Sequence, residues 1–338
     1  LALNAGAGVS GGDITVAAGA GSSDGGHLAL RSGDGLTGGK LMATTGGSTN
    51  SGGIELASGA SVESGDVLLK TGDGVASAGN LRLAGGNAQT SAGSVSIAAG
   101  ASETGAIGAH VSINAGATAA PGAVGGELRV AAGDGEIGGN AVIQSGKGAG
   151  KSGAMKLLSA EAPETGAVLV ASGGAGSTSG DVNVMTGSSE YESGALRLTT
   201  GDAETTGDVT VASGDSRTAA GAAGKVRIAG GAGGVGGDVM VSAGATIGQG
   251  VGGAVEVLSG IGTEGSGHIK LASVSSTGGT SGDMYMHTGD AFGSSGDVDI
   301  ATGSSSEQAG SVRVNVGPTT SAVGGDVDIN AGEAGETG

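Results

Sequence analysis

The chain has no cysteine and no tryptophan, and only three prolines, two tyrosines and one phenylalanine in 338 residues. Without cysteine there is no disulfide framework, and the redox compartment cannot be read from the thiol count. Three aromatics, Tyr191, Tyr285 and Phe292, are too few for a globular enzyme core of this length, because rings supply much of the buried area in such cores. The scarcity of proline excludes collagen, which needs Pro-rich Gly-X-Y periodicity, even though 80 residues are glycine. No apolar run approaches the ~18 residues of a membrane span, and no signal-peptide pattern is visible. Positive charge is also short: 14 basic residues face 32 acidic ones, for a net −18. That balance opposes nucleic acid and anionic membrane as partners and leaves cations.

Glycine, alanine, serine and regularly spaced aliphatics fill the chain. Disorder from low hydrophobicity does not fit a sequence that is 37% apolar. The repeated phrase is G-x-Φ-x-Φ-x-(small)-G followed by a Gly/Ser-rich connector, where Φ is aliphatic. It recurs 24 times, from Leu1/Leu3 to Val327/Ile329, about every 14 residues, and only Ala43 and Ala141 replace Val, Ile, Leu or Met at Φ. The opening "LALNAG" lacks Met and already lies inside a repeat, which reads as a piece of a longer repeat protein.

Inside each unit the period is two, the signature of a strand with one apolar face. Val209, Val211 and Ser213 share one face and Thr210 and Ala212 the other, and the position between the two Φ residues is mixed, as in Glu55, Arg82 and Tyr285. Glycine density excludes helix. Constant connectors suggest stacked identical units. The expectation is an all-β chain forming one continuous repeat domain over 1–338: a parallel β-solenoid of 24 units, two units per coil so that aliphatic faces meet. The glycine after each strand is expected at positive φ or where neighbouring backbones turn closely. The alternative is an antiparallel repeat meander whose apolar face is covered by a second chain.

Several motifs imitate sites. "GKGAGKS" at 146–152 resembles a phosphate loop, but Ser145 stands where the first glycine belongs and no helix is expected to follow. "GAGGVG" at 231–236 matches G-x-G-x-x-G, which a glycine-rich chain produces by chance. "GGVGGDVMV" at 233–241 fits a calcium β-roll phrase in the wrong register. His27, His110, His268 and His287 show no metal-ligand spacing. Outward Thr15, Thr44, Thr199 and Thr210 do not stack as an ice-binding array would. No residues form a catalytic set and no cofactor is implied.

An acidic residue precedes the first Φ mainly in even-numbered copies: Asp13, Asp66, Asp181, Asp208, Asp238, Asp297 and Asp326, with Glu127. In a two-unit coil these seven aspartates gather along one edge. Each would accept hydrogen bonds from turn amides, and together they would form a weak Ca²⁺ edge.

The tandem phrase, as "SGDVNVMTG", "TGDVTVASGD" and "SGDVDIATG", resembles Gly/Ser-rich tandem-repeat surface and extracellular proteins of algae and stramenopiles. The resemblance covers essentially the whole chain. It implies an extracellular or cell-surface fibre or coat and no catalytic residues. The expected function is a structural component of an extracellular filament, surface appendage or matrix fibre. It would self-associate as a homo-oligomer or polymer through uncapped repeat ends, or continue into more repeats. The alternatives are an adhesin-like stalk or an acidic scaffold for cations or mineral, and then an ice-binding solenoid. Serine and threonine permit glycan decoration.

Overall fold

Two aliphatic side chains per 14 residues give each unit little apolar surface, and glycine loses more freedom on ordering than any other residue. A computed structural model shows where that balance falls. It describes residues 2–47, 49–104, 107–320 and 323–332, so Leu1 of the first repeat lies outside the described residues. Among the described residues there is no helix and no strand. The expected solenoid is therefore corrected to a non-regular, coil-like chain. The two-unit coil and the alternative meander fall with it, since each requires laddered strands.

The physical reason lies in the burial. No described residue is buried, and the accessible surface is 33862 Å². A folded chain of 30.8 kDa would expose about 12,000 Å² and a fully unfolded one about 45,000 Å². Among the described residues the aliphatic faces stay exposed. Without their desolvation nothing draws neighbouring segments into a ladder.

The chain divides into two units, Leu1–Val168 and Leu169–Gly338. The division falls inside one repeat, between Val168 and Leu169, and no change of composition marks it. Both units follow the same local plan of apolar segments alternating with loops. The chain bends near the middle of the loops, as at 22–24, 61–63, 135–137 and 233–235.

Ten of the loops are closed at their necks by single backbone hydrogen bonds at fixed offsets from the aliphatics. The carbonyl three residues after the second Φ accepts from the amide two residues before the next first Φ. Gly12 N donates to Gly6 O at 2.9 Å, Gly93 to Gly86 at 2.9 Å, Gly139 to Gly133 at 2.9 Å and Gly237 to Gly231 at 2.9 Å. The same offset holds for the longer loops, where Gly126 N donates to Gly116 O at 2.8 Å and Gly253 N to Gly244 O at 3.0 Å. One bond per neck, with no second rung behind it, makes a pinch rather than a hairpin.

The necks account for much of the glycine. Along the sequence the donor position is glycine in every loop except at Ala109, and the acceptor position in every loop except at Ala160 and Val274. At the closed necks the donor glycine sits against the opposite backbone. A Cβ on Gly93 would lie 3.0 Å from Gly86 N, and one on Gly237 3.1 Å from Gly231 N. The acceptor glycines differ: a Cβ on Gly86 or Gly231 meets nothing within 4 Å.

Positive φ is not general after the apolar segments. Among the described residues it occurs only at Gly122 (φ 73°) and Gly248 (φ 97°), which corrects the positive-φ part of that expectation. Both lie in the longer loops between Gly116 and Gly126 and between Gly244 and Gly253. There the chain has more residues to fold back between neck positions and uses the left-handed region to do so.

Candidate functional site

The period of two survives without strands. Val168 is 53% exposed while its neighbour Leu169 is 87% exposed, and Val239 is 54% exposed against 88% for Met240. In these segments the first Φ is partly shielded and the intervening side chain stands free on the other side, whereas Leu41 and Met42 are equally exposed. Consecutive segments within a unit form open clefts where these faces approach. One cleft of about 350 Å³ is lined by Leu271, Ala272, Ser273 and the run from Asp283 to Met286. Another, of about 290 Å³, lies between the runs from Val130 to Ala132 and from Asn140 to Ile143. In the first, the Tyr285 hydroxyl donates to the Asp283 carboxylate at 2.9 Å. The second cleft is lined by aliphatic side chains, alanines and Asn140.

The seven aspartates expected to form an edge, Asp13, Asp66, Asp181, Asp208, Asp238, Asp297 and Asp326, each follow directly on a donor-position glycine, and Asp13 and Asp238 stand beside the closed necks of Gly12 and Gly237. The structure does not bring them together. Among the described residues no three His, Asp or Glu side chains lie close enough to hold a metal ion. A Ca²⁺ site needs six to eight oxygens, and a neck with one carboxylate is far from that.

Turn capping is done by other residues. Among the described residues the loop amides find Ser and Thr hydroxyls: Ala120 N donates to Thr118 Oγ1 at 3.3 Å, Gly279 N to Ser276 Oγ at 2.9 Å and Glu307 N to Ser305 Oγ at 3.2 Å. These are short-range Ser/Thr turns. Their signal was present in the sequence as Ser or Thr two or three residues before a loop amide. At one long loop a hydroxyl reaches across the neck itself, where Ser213 Oγ donates to Gly224 O at 3.0 Å.

The motifs that imitate nucleotide sites are neck loops. "GAGGVG" begins at the acceptor glycine Gly231 and runs to the residue before the donor Gly237, and "GKGAGKS" fills the loop closed by Gly153 N to Gly146 O at 3.0 Å. The sequence G-x-G-x-x-G-G spans four necks with six-residue spacing, those beginning at Gly6, Gly33, Gly133 and Gly231. The glycines close a loop, and no helix N-terminus follows to hold a phosphate. His287 Nδ1 lies 3.2 Å from Thr288 O, and no histidine described here joins a metal-binding group. No helix is long and apolar enough to cross a membrane among the described residues.

No protein-family model, curated protein or solved structure matches this chain.

Proposed function

We infer that this chain is a structural component of an extracellular filament, surface appendage or matrix fibre, working by association with further copies of the same repeat. One observation carries the reading: a sequence with a strict aliphatic repeat leaves every described aliphatic exposed in the single chain. Exposed apolar surface on this scale marks a surface that another molecule covers. The sequence supports the same class through its repetition, its few aromatics and its resemblance to repeat-rich surface proteins. Association no longer rests on uncapped solenoid ends, because there is no sheet edge to extend. It rests on the length of the repeat.

Sedimentation and negative-stain electron microscopy of the purified chain over a concentration series test the reading. Concentration-dependent assemblies are expected. A chain that stays monomeric from micromolar to millimolar concentration, at low and high salt, overturns it.

A further inference from the structure

The net charge of −18 is an obstacle to like-to-like association, and its placement shows how the obstacle is avoided. Take a segment as the two Φ residues, the residue between them and the one on each side. The segments hold 11 basic and 13 acidic side chains, a net of −2, while the loops and tail hold 3 basic and 19 acidic, a net of −16. Every basic residue lies in a segment except Lys147, Lys151 and Arg217. At period two these segment charges fall on the face opposite the aliphatics, with both signs mixed along the chain, as in Asp181, Arg197, Asp208 and Arg227. Nearly all the repulsive charge is therefore carried in the loops, beyond the necks that separate them from the segments.

We propose that the aliphatic face of the segments is the contact surface, and that its occupant is the same face of a second copy of this chain, with the acidic loops left in solvent. The proposal rests on the self-associating function given above and names the surface that performs it. Area supports the occupant. Burying one aliphatic side chain removes about 60–120 Å² from water. The Φ side chains here are already part-shielded, so about 60 Å² each remains to be covered. Roughly seven segments then reach the ~800 Å² per partner of a stable interface, and the repeat supplies 24. Equal spacing gives a second copy the same period, so aliphatics meet aliphatics along the whole contact. The near-neutral segments let two copies approach without a net like-charge penalty.

The full chain carries the test in two variants. One replaces Val226, Ile228, Val239, Val241, Val255 and Val257 with Ser. The other replaces the exposed loop residues Val235, Ile247, Val251, Ile261 and Phe292 with Ser, removing comparable apolar surface from the same region. No described side chain is buried in the single chain, so neither variant opens a core. Analytical ultracentrifugation should show association weakened at least about tenfold by the segment variant and changed less than about twofold by the loop variant. Going from about 0.02 M to about 0.5 M NaCl should strengthen association, because screening acts on the loop charge. Equal weakening by both variants, weakening with salt, or loss of association on adding EDTA overturns the segment-face proposal and leaves self-association standing. A wild-type chain that never associates overturns the function as well.

Discussion

Alanine at Gly93 and alanine at Gly86 are chemically the same change on the two sides of one neck, and the structure gives them opposite signs. Gly93 N donates to Gly86 O at 2.9 Å. A Cβ on Gly93 would stand 3.0 Å from Gly86 N and 3.5 Å from Gly85 Cα. Backbone atoms must give by a few tenths of an ångström to admit it, and the neck bond is strained as they do. A net hydrogen bond is worth about 0.5–1.5 kcal/mol, so the closed neck should be depopulated about 2- to 12-fold. A Cβ on Gly86 meets nothing within 4 Å, and φ there is not in the left-handed range. Alanine at that position restricts the open chain and stabilises the closed one by about 0.4–1 kcal/mol, a gain of about 2- to 5-fold. Amide hydrogen exchange at residue 93, read by NMR in dilute monomer, reports the neck directly. Protection should fall in Gly93→Ala and rise in Gly86→Ala. The pair Gly237→Ala and Gly231→Ala repeats the comparison, at 3.1 Å against open space. Equal effects on both sides, or the reverse order, would refute the argument from close approach.

Gly122→Ala and Gly248→Ala should each open their long loops at a cost of about 1–2 kcal/mol, because alanine is strained at φ 73° and 97°; faster exchange at Ala123 N, which donates to Ala120 O at 3.1 Å, and at Gly253 N checks this. Calcium titration by calorimetry should give no saturable binding at sub-millimolar concentration, since the neck aspartates do not assemble a ligand set; a saturable isotherm would show that the seven carboxylates do converge. Trypsin should cut assembled material first at Lys147, Lys151 and Arg217 in the loops, and only later at segment residues such as Arg129, Arg197 and Arg313. Early cleavage at the segment sites would place the contact elsewhere.

The repeat was legible in the sequence and its tertiary outcome was not. Val209 and Val211 do mark an apolar period of two, and the exposure pattern at Val168 and Leu169 preserves it. A period of two does not by itself supply a partner for the hydrogen bonds of a ladder. That depends on an apolar surface to pack against, and the aliphatic face of a neighbouring unit, which the pattern offers, leaves the described aliphatics exposed. The aspartate edge depends on the same coil. Asp208 was assigned to an edge because a coil would stack it on Asp181 and Asp238, and without the coil no geometry joins them. The necks could have been found from sequence, because glycine recurs at fixed offsets from Φ even where loop length changes. Which neck glycine is sterically required could not, since donor and acceptor positions carry the same letter.

Because each neck is set by its distance from the flanking aliphatics, the length of chain between its two glycines is a free variable. The span is six residues from Gly133 to Gly139, seven from Gly146 to Gly153 and ten from Gly116 to Gly126, and the same bond closes all three. New material can enter between the glycines without shifting the spacing of the segments on either side. Each loop is in that sense a cassette. Epitopes, enzymatic tags or mineral-nucleating peptides grafted there would be displayed at regular intervals, and natural variation could accumulate at the same places while the aliphatic period stays intact.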